Sequence, residues 1–310
     1  MIHSHLSSFT GLPVLPFTPG MTLPDDPSAV AWRLEVEDFD ADPEEFAALV
    51  AALRAEVPAD AVRALVIGEW GSAYERALPV DLLVEAAEEW TSLRAVFLAD
   101  LVGEQCEISW LTQGDITPLL AAYPSLEVLW VRGGNELRLD PVRHTGLREL
   151  VFQTGGLPGS VAAAVGGCDL PALERLELWL GRQDYGGDTT RAELADVLAG
   201  TRLPALRHLA VCNAEFADRI AEAVAAAPVV RQLEVLDLSK GILTDVGAEA
   251  LLAGQPLTHL RRLDLHHSFL SESARERVVA ALPGVEVDLS DPQTAEVYNG
   301  REYRFTAVGE

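Results

Sequence analysis

One phrase recurs along the 310 residues: a leucine, two residues, an aliphatic, one residue, then another aliphatic or a phenylalanine. It reads Leu93-x-x-Val96-x-Leu98, Leu126-x-x-Leu129-x-Val131, Leu147-x-x-Leu150-x-Phe152 and Leu173-x-x-Leu176-x-Leu178. It continues as Leu206-x-x-Leu209-x-Val211, Leu233-x-x-Leu236-x-Leu238 and Leu260-x-x-Leu263-x-Leu265. Successive starts lie 33, 21, 26, 33, 27 and 27 residues apart by subtraction. A unit of that length holding one short strand cannot bury its apolar face alone, so the units must stack. This predicts a parallel sheet built one strand per repeat, with helices on its outer side.

Two less regular units precede the series. Trp32-x-Leu34-x-Val36 alternates as a half-buried strand, with Arg33, Glu35 and Glu37 on its other side. Asp42-Pro43-Glu44-Glu45 then opens a helix, with proline in the first turn and carboxylates at its positive end. Val62-x-x-Leu65-x-Ile67 is the next strand, and Val285-x-Val287-x-Leu289 closes the series. Further helices are expected near 79–90, 115–122, 190–199, 215–226, 245–253 and 271–281. Residues 181–189 are the most polar insertion and read as an exposed loop.

The organisation expected is an N-terminal extension over 1–28, a repeat array over 29–290 and a C-terminal hairpin over 291–310. Phe9, Leu12, Val14, Leu15 and Phe17 of the extension are placed over the first repeat, whose outer face would otherwise be bare. Asn299-Gly300 between alternating flanks signals the hairpin, which would cap the last strand.

The formal net charge is −25, which disfavours phosphate backbones and anionic lipid and suits a basic partner. No apolar run reaches the length of a membrane span, and the start lacks the basic and apolar regions of a secretory signal. Cys106, Cys168 and Cys212 have neither metal nor disulfide spacing, which fits a reducing cytosol. Lys240 is the only lysine among 23 Lys and Arg residues, and this arginine bias fits a high-GC bacterium. Expected, then, are a cytoplasmic location, no nucleic acid, no membrane, no cofactor and no metal.

These repeats resemble the leucine-rich-repeat superfamily in its ribonuclease-inhibitor-like form. The best match is Leu233-Glu-Val-Leu-Asp-Leu-Ser-Lys-Gly-Ile-Leu-Thr-Asp-Val-Gly-Ala-Glu-Ala-Leu251, where a strand runs into a Thr-Asp helix start. The resemblance covers about residues 30 to 290 and implies an α/β solenoid, concave sheet inside and helices outside. At the ninth position, where that class usually holds Asn or Cys, this chain has Leu101, Gly134, Gly155, Gly181, Ala214, Gly241 and Ser268. No asparagine ladder can form, so the turns should vary. The whole chain also resembles an uncharacterised bacterial leucine-rich-repeat family encoded near radical-SAM genes. That resemblance implies an accessory or partner-recognition role and transfers no catalytic residue.

The residues between the aliphatics line the sheet in rows about 4.8 Å apart. The central row reads Val66, Phe97, Trp130, Val151, Glu177, Ala210, Asp237, Asp264, Asp288, with Arg132, Trp179, Cys212, Ser239 and His266 in the row after it. The expected partner-binding set is Phe97, Trp130, Arg132, Val151, Glu177, Trp179, Asp237, Asp264 and His266. Phe97, Trp130 and Trp179 would be apolar anchors, unless the N-terminal extension or the 101–115 loop covers them. Trp90 and Trp110 read as core or helix-face residues. The aspartates, crowded on adjacent strands, read as solvated carboxylates with Arg262 as counter-ion; otherwise they would bind a basic group or leave one carboxyl titrating high. Cys212, Ser239 and His266 lack a nucleophile elbow or oxyanion loop, and Cys212 is two strands from His266. No enzyme is therefore expected. The reading is a non-catalytic scaffold for a protein or peptide, with an accessory subunit presenting a substrate peptide as the alternative. A hydrolase using the Asp/His face is the weakest option.

Overall fold

A computed structural model describes residues 2–309. The chain resolves into two compact units. Unit 1 comprises the residues up to 153 together with Cys168–Leu170; unit 2 comprises Thr154–Gly167 and Pro171–Gly309.

Unit 1 carries strands β1 (Ser8–Phe9), β2 (Leu12–Pro16), β3 (Ala31–Leu34), β4 (Ala64–Ile67), β5 (Ala95–Leu98), β6 (Val128–Arg132) and β7 (Glu149–Gln153). Each pairs with the next, antiparallel for β1 with β2 and parallel from β2 to β7. Helices α1 (Pro43–Glu56), α2 (Val80–Glu85) and α3 (Thr117–Ala122) lie between the strands. In α1, Pro43 takes the first turn, and the Glu45 carboxylate accepts from the Asp42 amide at 3.3 Å. Phe46, Leu49, Val50 and Leu53 make its buried stripe.

Unit 2 begins with α4 (Gly159–Gly167), then alternates β8 (Arg175–Gly181), α5 (Ala195–Ala199), β9 (His208–Ala214), α6 (Ala217–Ala225), β10 (Val235–Asp237), α7 (Asp245–Ala253), β11 (Arg262–Asp264), α8 (Glu272–Ala281) and β12 (Glu286–Asp288). Strands β8 to β12 pair in parallel in chain order. The capping side chains follow the repeat: the Thr244 hydroxyl accepts from Val246 N at the start of α7, and Ser271 from Ala274 N at the start of α8. The Gly- and Ala-rich stretch after Phe152 forms the nine-residue α4, whose small side chains are largely buried.

The turns follow a rule of their own. Gly133, Asn213, Lys240 and His267 all have positive φ, and each lies two residues beyond the last aliphatic of its repeat. Asp291, two residues beyond Leu289, does the same. Only one of the five is glycine; Asn213 and Asp291 tolerate the left-handed region, while Lys240 and His267 accept up to about 1–2 kcal/mol of strain where the strand turns away.

Both chain ends leave the repeat pattern. β2 is the first parallel strand rather than a cover, while β1 folds back and carries Phe9 as far as β5 and β6. At the other end, β13 (Glu296–Tyr298) and β14 (Arg301–Tyr303) pair only with one another, Tyr298 with Arg301 across the Asn299-Gly300 turn. They do not extend the sheet from β12. The tail beyond them runs past the strand ends instead: His267 Nε2 lies 3.3 Å from Phe305 O, and Ala307 N donates to Lys240 O. Val308 exchanges two hydrogen bonds with the Asn213 side chain. No helix among the described residues is long and apolar enough to cross a membrane.

Candidate binding faces

The rows read from the sequence are the rows of the structure. In unit 1, Arg33, Val66, Phe97, Trp130 and Val151 stand in register on β3 to β7. In unit 2, Glu177, Ala210, Asp237, Asp264 and Asp288 do so on β8 to β12. What the rows touch differs between the units.

In unit 1 the face is covered. Phe97 is 0% exposed and Val151 1%. Phe9 packs 6.1 Å from Phe97 and edge-on to Trp130 at 5.5 Å, and Phe97 meets Trp130 edge-on at 5.5 Å. Ala31, Ala64, Val66 and Ala95 complete the buried cluster, with Leu6 and Val128 against it. Small residues on β3 to β5 leave room for the aromatic ring delivered by β1. Trp130 is half-buried and donates from Nε1 to the Glu149 carboxylate at 2.9 Å. The aromatic face is thus roofed by the chain's own N-terminal segment.

Behind that roof lies a buried ionic cluster that no local pattern announced. Arg33, on the side of β3 opposite Trp32 and Leu34 as alternation placed it, is buried. Its Nη1 donates to Asp100 Oδ2 at 2.7 Å, and its Nη2 to Glu35 Oε2 at 2.7 Å. Arg132, also buried, donates to Asp100 Oδ1 at 3.2 Å, to Leu101 O at 2.6 Å and to Gln153 Oε1 at 3.0 Å. Its guanidinium carbon lies 4.9 Å from the Phe97 ring centre. Ala99 takes a left-handed φ of 67° directly after β5, and Asp100 follows in the interior. Burial pulls the Arg132 guanidinium down to about 10 against the pull of Asp100. Burial acts the same way on Arg33, but there Glu35 and Asp100 together outweigh it and the pKa ends raised. The difference is the second carboxylate.

In unit 2 the face is polar. Arg262 Nη2 bridges Asp264 (2.8 Å) and Asp288 (2.7 Å), and Nη1 reaches Glu286 at 3.0 Å. Neither aspartate titrates high. Burial pushes Asp264 up, but donation from His266 N and the Arg262 and His266 side chains holds it below the ordinary value. Hydrogen bonds from Ser290 lower Asp288, with Arg262 adding to them. Asp237 accepts from Ser239 N at 2.9 Å, and among the described residues it has no cationic partner in a salt bridge. Glu177 and Trp179 are nearly buried: Trp179 Nε1 donates to Glu177 at 2.6 Å, and Lys240 Nζ sits 5.5 Å from its ring centre. The only lysine thus already occupies the π face expected to anchor a partner.

Asp264, His266 and Asp288 offer ligand atoms within 4.8 Å of one another, the one such trio among the described residues. Arg262 already supplies the positive charge there, which leaves the trio little need of a cation.

The Cys212–Ser239–His266 row makes no relay. Ser239 Oγ donates to Cys212 Sγ at 3.8 Å, and His266 Nδ1 instead meets Asp264 Oδ1 at 2.7 Å. The Cys212 thiol is fully buried, and burial raises its pKa well above the ordinary value. Burial likewise pushes Cys106 up to about 12. All three cysteines are buried, so a thiol reagent at pH 8 should label none of them rapidly in native protein and all three in denaturant. One fast-reacting native thiol would show that a cysteine is accessible. Trp90 is fully buried as read, whereas Trp110 is 55% exposed with Nε1 bonded to Glu107.

No protein-family model matches the chain, and no curated protein matches it. Among solved structures it is similar to a Bacteroides fragilis protein determined as a structural-genomics target. The TM-score is 0.76 at 29% identity, over 88% of this chain and 77% of that one. One strand per repeat, parallel pairing in chain order and intervening helices, together with this overlap, decide the fold. It is a leucine-rich-repeat fold. Weaker overlaps occur with an internalin from Listeria monocytogenes (TM-score 0.34, 14% identity, 84% of this chain and 74% of that one) and with the APL1 leucine-rich-repeat domain (0.27, 14%, 82% and 72%). In this leucine-rich-repeat chain the expected site residues fall into two sets. Phe97, Trp130, Arg132 and Val151 stand around the roofed cluster of unit 1; Glu177, Trp179, Asp237, Asp264 and His266 lie on the polar face of unit 2.

Proposed function

We propose that the protein is a non-catalytic recognition scaffold whose unit 2 sheet face holds a basic segment of a protein partner. The carrying observation is Asp237, half-buried and without a cationic salt-bridge partner among the described residues, fixed in register beside the Arg262-paired Asp264 and Asp288. Rigid strands fix these carboxylates before binding, so little side-chain entropy is lost when a cation docks. Asp237 offers the position without a cation of its own. The chain's net charge of −25 adds long-range attraction for such a partner.

The test is affinity capture from the host's proteins by wild type, Asp237→Arg and Asp288→Arg, each checked for an unchanged melting temperature. A partner that is retained by wild type, lost by both variants and released between about 0.05 and 0.5 M salt supports the reading. Capture indifferent to both charge reversals and to salt would overturn it.

A further inference from the structure

The residues before β2 are bound to unit 1 as a ligand would be. Leu6 and Phe9 enter the apolar face, Leu6 N donates to Asp100 Oδ2 at 3.1 Å, and Gly103 N donates to Ile2 O at 2.8 Å. His5 Nδ1 lies 2.9 Å from Asp100 O and 3.0 Å from Arg33 Nη2. His3, Ser4, His5, Ser7 and Ser8 remain exposed, and β1 is only two residues long. Two side chains three residues apart therefore do the packing, and a few main-chain bonds set the direction.

The arginine–carboxylate pairs of the groove underneath do not depend on this arm. Asp100 keeps both arginines, Arg33 keeps Glu35, and Arg132 keeps Leu101 O, Gln153 and the Phe97 ring. Trp130 Nε1 keeps Glu149. If the arm leaves, apolar surface at Phe97 and Trp130 is uncovered and Asp100 loses the Leu6 amide and His5, yet it keeps both arginines. A core element would be built the other way, with the cluster depending on it. A preorganised groove whose arginine–carboxylate pairs stand without its occupant is the arrangement of a receptor and an exchangeable peptide.

We infer that residues 2–9 are an internal ligand of unit 1, leaving reversibly to admit a partner segment with leucine and phenylalanine at the same three-residue spacing. This surface is separate from the acidic face of unit 2 and does not depend on it.

The test uses the full-length chain and a fluorescent peptide of residues 2–12. In the Leu6→Ala/Phe9→Ala variant the arm cannot compete, so the peptide should bind about tenfold or more tighter than to wild type. A peptide carrying Phe9→Ala should not bind. A variant that melts cooperatively yet gains no affinity overturns the inference. Native hydrogen exchange of wild type decides independently of any variant. The Leu6 and Gly103 amides, bonded through the arm, should exchange about 100-fold or more faster than amides of β4 and β5. Equal rates would make the arm part of the globally unfolding core and end the proposal.

Discussion

Asp100→Ala should cost about 3–5 kcal/mol, the range for removing one partner of a buried charge cluster. The carboxylate is fully buried and is shared by Arg33 and Arg132, both nearly inaccessible. Its loss leaves two buried guanidinium groups with Glu35, paired to Arg33, as the remaining carboxylate. Arg33 already opposes the charge on Arg132, so that repulsion would stand unrelieved. Chemical denaturation should show a lower midpoint at an unchanged slope, because the surface exposed on unfolding is the same. The double variant Asp100→Leu/Arg132→Met should recover part of the loss, since an apolar pair carries no desolvation penalty. A cost under about 1 kcal/mol for Asp100→Ala would mean that water reaches the arginines and the cluster is not sealed.

That cluster also marks where the sequence stops being readable. The aliphatic phrase locates strands because its period places every leucine on one face, and stacking aligns equal positions across repeats. The rows through Phe97 and Trp130, and through Asp237 and Asp264, were legible for that reason. Whether a row is open depends on segments outside the repeat. Phe9 reaches Phe97 from 88 residues away in sequence, and Arg33 reaches Asp100 from 67. No periodicity relates these residues, since the arm meets unit 1 only through tertiary packing. Alternation placed Arg33 on the non-leucine face, but a period of two says nothing of what covers that face. The run of Ala31, Ala64 and Ala95 in one row was the available signal: small side chains on a sheet face leave room for something large. Trp110, at the end of a short 3-10 helix over Ile108–Trp110, stands on an exposed helix face and belongs to no row.

The ninth repeat position makes the same point and yields the second large effect. Gly181 stands at the ninth position of its repeat, with φ at +67°, at the end of β8. A Cβ there would lie 1.8 Å from the Gly155 carbonyl oxygen and 2.1 Å from its carbon. Two backbones have closed on one another: Gly181 bridges Gly156, and Arg182 N donates to Gly155 O at 2.7 Å. Glycine here replaces side-chain capping by direct backbone contact, which only a residue without a Cβ permits. Gly181→Ala should therefore cost about 3–5 kcal/mol, adding left-handed strain to forced displacement of the facing strand end. Gly186 separates the two contributions. Its φ of +83° is as left-handed, but a Cβ there meets nothing within 4 Å, so Gly186→Ala should cost only about 1–2 kcal/mol. Equal melting shifts for the two variants would mean that the 155–156 segment yields to the methyl group, and that this turn is held by its conformation rather than by contact.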